Sequence, residues 1–271
     1  TVPLDLFLFD CNNHHYIYRP TGHGWDAGTV DTVVSMVNDA GTLCRPSVWV
    51  KRHANITSTV CDPDIEGDVQ RGWSCRNESA ELVPDPYGAV YNTYQHPTIP
   101  LGDATKADPF VAHCRRVFCK PGDADQFFNY MAHLRQRPGV KMRFALLIAG
   151  EQGSGKDTAI ELCAASLGYA NVRNIEPQDL DSPYDTYYAA TLVRISETAN
   201  QAHMSKWAFN QRTKVLIAGQ PDYKTINPKY GRQYTVRVHG GVIVTTNNLT
   251  DGIYIPNDDR RYDVLACATK A

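Results

Sequence analysis

No stretch of this 271-residue chain is apolar for long enough to cross a bilayer, and no secretory leader is visible. Both absences lead to the expectation of a cytoplasmic protein, in the host cytoplasm if the source is viral, with no membrane partner. The eight cysteines include no C-x-x-C pair, and Cys114 and Cys119 lack the second pair that a zinc site needs. Scattered through a chain of this length, they read as buried or free thiols of a reducing compartment. Histidine gives no ligand spacing either: His14 and His15 are adjacent and the other seven are dispersed. An excess of positive charge is also missing. The net charge of -2 argues against a general nucleic-acid coat. The chain also begins at Thr1 rather than methionine, as expected of a fragment or a processed piece.

One stretch stands out among what is present. Arg143 to Gly150 (RFALLIAG) is an apolar run that predicts a short buried strand from Phe144 to Ala149. Gly150, Gly153, Ser154 and Gly155 form a glycine-rich turn, Lys156 follows, and a helix with Ala159, Ile160, Leu162 and Cys163 on its buried side is expected from Asp157 to about Gly168. Strand, G-x-x-x-x-G-K loop and helix make the phosphate-cradling arrangement. Glycines let backbone N–H groups face phosphate oxygens, and the helix N-terminus and Lys156 add positive charge. The hydroxyl residue that normally follows the lysine is replaced by Asp157, with Thr158 next. Asp157 could itself ligate Mg²⁺. Alternatively it sits where the helix dipole favours an acid, while Thr158 or water serves the metal.

The rest of the chain divides around that loop. Residues 1–103 read as a small α+β accessory module. Strands are expected at Leu4–Phe9, Tyr16–Tyr18 and Ser47–Arg52, with strand fragments near Ile56–Val60 and Gly72–Cys75, a short helix over Thr29–Val37 and an aromatic stretch from Tyr87 to Tyr94. Residues 104–140 carry two helical patterns, Pro109–Phe118 and Asp123–Gln136, separated by Pro121-Gly122, and read as a helical linker or collar. In residues 141–271 further strands are expected at Asn171–Ile175, Thr191–Glu197, Lys214–Gly219 and Gly241–Thr246, and Lys214–Gly219 together with Tyr234–Val238 suggests a hairpin whose tip, Pro221–Tyr234, carries lysines. The fold class is therefore α/β, a parallel sheet with flanking helices preceded by the α+β module and the helical layer.

Ligands of such a sheet sit at the carboxyl ends of its strands. Glu197 ends the Thr191–Glu197 run and is a candidate to orient water or act through Mg²⁺; the bland alternative is an ordinary glutamate opening a helix. Asn247 ends another strand and could hold the γ-phosphate or the water. Arg260 and Arg261 suit transition-state charge on a transferring phosphoryl group. From Lys206 to Arg237 seven cations (Lys206, Arg212, Lys214, Lys224, Lys229, Arg232 and Arg237) face one acid, Asp222. That run is either a solvated face or a polyanion contact. Its place between two candidate nucleotide-sensing strands favours the contact, with Lys224, Lys229 and Arg232 as candidate holders of a polyanion.

The order of these motifs resembles the superfamily 3 helicases, AAA+-type motors of small viruses, phages and plasmids, and most of all phage and poxvirus-type primase-helicases. The phrases that carry the likeness are HLRQRPGVK (133–141), GEQGSGKD (150–157), VRISE (193–197), VIVTTNN (242–248) and DDRRY (258–262). The likeness is specific over 133–262 and loose before that. It implies a P-loop AAA+-like ATPase core, a homo-hexameric ring, ATP and Mg²⁺ as cofactors, and single-stranded DNA, or RNA, as partner. It assigns Lys156 to the phosphates, Glu197 to water activation, Asn247 to γ-phosphate sensing, Lys224 or Lys229 to the strand and Arg260 or Arg261 to a neighbour's site. A primase-polymerase domain is expected upstream in a parent protein, and a C-terminal lid is not accommodated after Arg261. Asp157 and Ser196 depart from the family pattern at metal positions. Two other readings stay open: a nucleotide-binding ring scaffold without turnover, and a phosphate-loop small-molecule kinase.

Overall fold

A computed structural model describes residues 2–11, 13–20, 23–75, 82–100, 102–196, 206–218, 222–229, 233–247 and 259–268. Two compact units result, one made of Thr1–Tyr94 with Asn227–Val236, the other of Gln95–Ile226 with Arg237–Ala271. The described residues contain no helix long and apolar enough to cross a membrane.

The first unit is mixed. Strands β1 (Phe7–Asp10), β2 (His15–Tyr18) and β3 (His23–Trp25) form an antiparallel meander, and helix α1 (Ala27–Val33) is capped by Asp26, whose carboxylate accepts from Thr29 N. A short hairpin pairs β4 (Val37–Asp39) with β5 (Thr42–Cys44). Helix α2 is Pro46–His53, and β6 (Asn55–Ile56) then joins β1 in parallel. A second sheet has the order β7 (Ser58–Val60), β9 (Leu82–Asn92), β8 (Val69–Cys75). Phe7, Phe9, Tyr16, Val30 and Val50 form one core here, and Leu8, Ile17, Ile56, Ala89 and Tyr91 another.

Helix α2 replaces the strand expected at Ser47–Arg52. Six residues alternating Val48, Trp49, Val50 do not separate the two periods. Pro46 at the first helical position, Asp31 accepting from Ser47 N (2.8 Å) and Ser47 Oγ (3.0 Å), and three basic residues in the last turn all favour the helix. Similarly, α1 is shorter than the expected Thr29–Val37, because Val37 already belongs to β4. Leu4–Leu6 is a 3-10 turn that delays β1 to Phe7.

The second unit holds helices α3 (Asp108–Val117) and α4 (Asp123–Gln136), strand β10 (Ala145–Ala149), helix α5 (Lys156–Leu167), strands β11 (Val172–Ile175) and β12 (Leu192–Ser196), and helix α6 (Lys206–Ile217). Strand β13 (Tyr223–Ile226) follows, and after the Asn227–Val236 stretch of the first unit, which carries most of β14 (Tyr234–Arg237), come β15 (Gly241–Thr246) and β16 (Tyr262–Ala266). The main sheet runs β11–β12–β15–β10–β16, all parallel. Strands buried on both faces read as near-continuous apolar runs, as ALLIA and GVIVTT do.

Helices α3 and α4, expected as a linker, share one core with this sheet. Cys114, Val117, Phe127 and Leu134 pack with Leu146, Ile148, Ile160, Leu192 and Ile243. Tyr130 fixes the entry of the central strands. Its hydroxyl accepts from Val242 N (2.7 Å) and lies 3.0 Å from Val242 O and 3.3 Å from Phe144 O. Burial pushes its pKa far up, so it stays a neutral donor and acceptor. A Cβ on Gly241 would lie 2.6 Å from that hydroxyl.

Two expectations change here. Lys214–Ile217 is the last turn of α6, not a strand, because Phe209, Asn210, Thr213, Leu216 and Ile217 are buried at helical spacing. Strand β16 had no counterpart in the sequence reading, yet it pairs with β10 along its whole length, from Ala145↔Tyr262 to Ala149↔Ala266.

Candidate functional site

Strand β10 delivers Gly150 to the carboxyl edge of the sheet, where its N–H donates to Thr246 O (3.1 Å) at the end of the adjacent β15. Glycine is required there, since a Cβ would lie 2.4 Å from the Cβ of Cys267 just past β16. The loop then turns through Gly153 (φ 81°) and Gly155 (φ 93°), both left-handed conformations that side chains oppose. Helix α3 supports it from below: His113 Nε2 donates to Gly155 O at 3.1 Å. The Ser154 hydroxyl is buried beside the Cys267 thiol.

Lys156 opens α5 and is 4% exposed. Its ammonium donates to Gly150 O (3.1 Å), Glu151 O (3.3 Å) and Asn247 Oδ1 (2.8 Å). All three are neutral oxygens, and among the described residues no carboxylate pairs with it. An uncompensated buried charge is costly; here it sits at a helix N-terminus, where an anion would balance it. Lys156 and Asn247, 91 positions apart, are thus brought together by the parallel pairing of β10 with β15.

Asp157 is engaged elsewhere. Its carboxylate pairs with Arg194 on β12, whose guanidinium also reaches Glu161 at 3.9 Å. Arg194 is largely buried, at 14% side-chain exposure, and its Nε has no partner. This pair ties the start of α5 to β12 and commits Asp157 before any metal arrives. Thr158 is exposed on the first turn of α5. Glu197 lies outside the described residues; β12 carries the chain as far as Ser196. One strand, β15, separates β12 from β10. Two spacings of about 4.8 Å put the end of β12 about 10 Å from the phosphate loop, enough for a terminal phosphate and a water between them.

The paired arginines differ. Arg261 is internal: Nε donates to Asp259 Oδ1 (2.8 Å), one terminal nitrogen to Asp259 Oδ2 (2.5 Å) and to Asn210 Oδ1 of α6 (2.8 Å). The hydrogen bonds from Arg261 hold the Asp259 carboxyl down to about 2. Beside this fork Thr213 and Tyr262 share a hydroxyl hydrogen bond (2.7 Å). Arg261 therefore locks β16 to α6, while Arg260 is exposed. Lys224 lies on β13 rather than at a hairpin tip. Its ammonium is 3.3 Å from Asp185 and 4.6 Å from the centre of the Tyr188 ring. Lys229 lies exposed in the turn between β13 and β14, and Arg232 lies outside the described residues.

His113, Arg194, Asn210 and Asp259 were missed in the sequence. Arg194 left a signal, a charge inside the apolar run Leu192–Ile195, which demands a partner. The other three have no diagnostic spacing.

A family of unknown function (DUF5906) matches residues 148–261. The DNA primase-polymerase of Nitratiruptor phage NrS-1 is 27% identical over 145 residues, covering 52% of this chain and 19% of that protein. Two solved apo structures of the NrS-1 C-terminal region superpose with TM-scores of 0.65 and 0.62 at 16% and 15% identity, each over 96% of this chain and 58% of theirs. At that identity the likeness is one of fold. The chain spans about a fifth of the phage relative and somewhat over half of the solved chains.

Proposed function

We propose that this chain is the motor part of a phage DNA-replication protein, an AAA+-like phosphate-loop ATPase of the superfamily 3 helicase kind that moves single-stranded DNA. The observation that carries the reading is the meeting of Lys156 and Asn247 at the carboxyl edge of a five-stranded parallel sheet, beneath a loop with two left-handed glycines. That arrangement suits a nucleoside triphosphate: loop N–H groups and Lys156 on the phosphates, Asn247 at the terminal one, Ser154 as a further donor. The similarity to a phage primase-polymerase supports a role in replication.

The donor set fits Mg²⁺ through Thr158 and water better than through Asp157, whose charge Arg194 already balances. The metal would neutralise phosphate charge. Glu197, one residue past β12, is placed in sequence to orient water. Arg260 is the better candidate to serve a neighbouring subunit in a hexameric ring, because Arg261 is engaged within its own chain. Lys224, Lys229 and Arg232 are the proposed contacts to the strand.

The commitment of Asp157 to Arg194, together with Ser196 where an acid would assist the metal, favours one second reading, a ring that binds nucleotide without turnover. ATP hydrolysis by the full-length protein, with and without single-stranded DNA, separates the two. Under the motor reading DNA raises the rate, and Glu197→Gln keeps nucleotide binding while turnover falls about 100-fold or more. Binding without hydrolysis in the unsubstituted protein would select the scaffold.

A further inference from the structure

Away from the phosphate loop, the second unit has a cleft of about 510 Å³ between the Leu180–Tyr188 segment, α6 and β13. That lies within the roughly 300–1,000 Å³ range of clefts that enclose small organic ligands. Trp207, on the first turn of α6, stands at its edge 69% exposed. Tyr188 lies within, its ring 4.8 Å from that of Tyr187 and beneath the ammonium of Lys224. Arg212, one and a half turns along α6 from Trp207, is 2.9 Å from Asp181.

We propose that this cleft takes one unpaired nucleobase of a single strand, stacked on Trp207, with its flanking phosphates on Arg212 and Lys224. The inference rests on the strand-handling reading above and adds a site to it. A single exposed aromatic is ordinary. An open indole face beside two cations and a second aromatic is the pattern that holds bases and phosphates together, since every base presents a π-face and the backbone supplies the charge. In the free protein Asp181 and Asp185 occupy the two cations. The Arg212–Asp181 pair is exposed on both sides, and such pairs are weak enough to be exchanged for a phosphate. The carboxylates thereby hold the cations ready and keep the empty cleft electrically balanced.

The test is equilibrium binding, by fluorescence anisotropy, of a labelled oligothymidylate and of an abasic strand of equal length. The full-length protein is compared with Trp207→Ala, Trp207→Phe and Arg212→Gln. Stacking predicts that Trp207→Ala weakens the oligothymidylate about tenfold and leaves the abasic strand unchanged. Trp207→Phe should stay near the starting affinity, and Arg212→Gln should weaken both strands. An oligouridylate arm identifies whether DNA, RNA or both are held. Equal loss on the base-bearing and abasic strands would make Trp207 a structural residue and overturn the proposal, as would unchanged affinity in Trp207→Ala. Either result leaves the motor reading standing, whereas a starting protein that binds neither strand removes both.

Discussion

Replacing Lys156 by methionine separates what the residue does for the fold from what it does for the ligand. The side chain is buried, and among the described residues its charge is met by three neutral oxygens. Methionine of similar length removes three charge-assisted hydrogen bonds and also removes a buried charge that has no carboxylate partner among the described residues. These effects oppose each other, so the ligand-free melting temperature is expected to move by no more than about 3 °C, equivalent to about 1 kcal/mol. Nucleotide binding has no such compensation. One lost charge-assisted contact of about 1.5–3 kcal/mol raises the dissociation constant about 10- to 150-fold. At a nucleotide concentration 100 times the starting dissociation constant, binding stabilises the unsubstituted protein by about 2.7 kcal/mol, or about 5–11 °C. After a 100-fold loss of affinity the same concentration yields about 0.4 kcal/mol, or about 1 °C. Thermal melting with and without ATP reads both numbers in one experiment. A retained nucleotide shift in Lys156→Met would refute the phosphate-loop assignment. A ligand-free protein that collapses would refute the claim that the ammonium is poised for a ligand.

Two further outcomes follow from the interior of the second unit. Asp259 has a folded pKa of about 2 against 3.8 for the free side chain, so the Asp259–Arg261 fork contributes stability that is fully present above about pH 4 and is lost as pH falls toward 2. The contribution is about 2 kcal/mol; acid unfolding followed by circular dichroism should lose that part of its pH dependence in Asp259→Asn, which should also be less stable at neutral pH. Tyr130→Phe leaves the Val242 N–H without its acceptor between the central strands and should cost about 1–3 kcal/mol by denaturant unfolding. A cost near zero would mean that this end of the sheet admits water.

Much of the second unit was legible because its signals are local. The run ALLIA, the spacing of Gly150, Gly155 and Lys156, the helix Asp123–Gln136 and the strand Gly241–Thr246 each fit one period and one set of boundaries. The errors fell where a short apolar run fits two periods. SVWVKR and KVLI alternate well enough for a strand, and what makes them helical is a cap from Asp31 in one case and the burial of Phe209 and Thr213 in the other. A lysine-bearing hairpin was expected with Lys214–Gly219 as one arm, which is helical instead, and the carboxylate that holds Lys224 was not foreseen, because Asp185 lies 39 positions earlier.

By itself the sequence determined the groups on offer around the loop: glycines at its turns, a lysine at a helix start, and an amide just past the end of β15. Only the tertiary structure decided which of these groups meet. Parallel pairing of β10 with β15 sets Asn247 against Lys156, and β16, invisible as a pattern, closes the other side and makes Gly150 obligatory. Arg194 and Asp259 then settle which charges are spent within the fold, Asp157 and Arg261, leaving Arg260 exposed. The reason is physical: residue type and spacing set local conformation and the available charge, but a counter-charge works over a few ångströms, and strand order alone brings residues ninety positions apart to that distance.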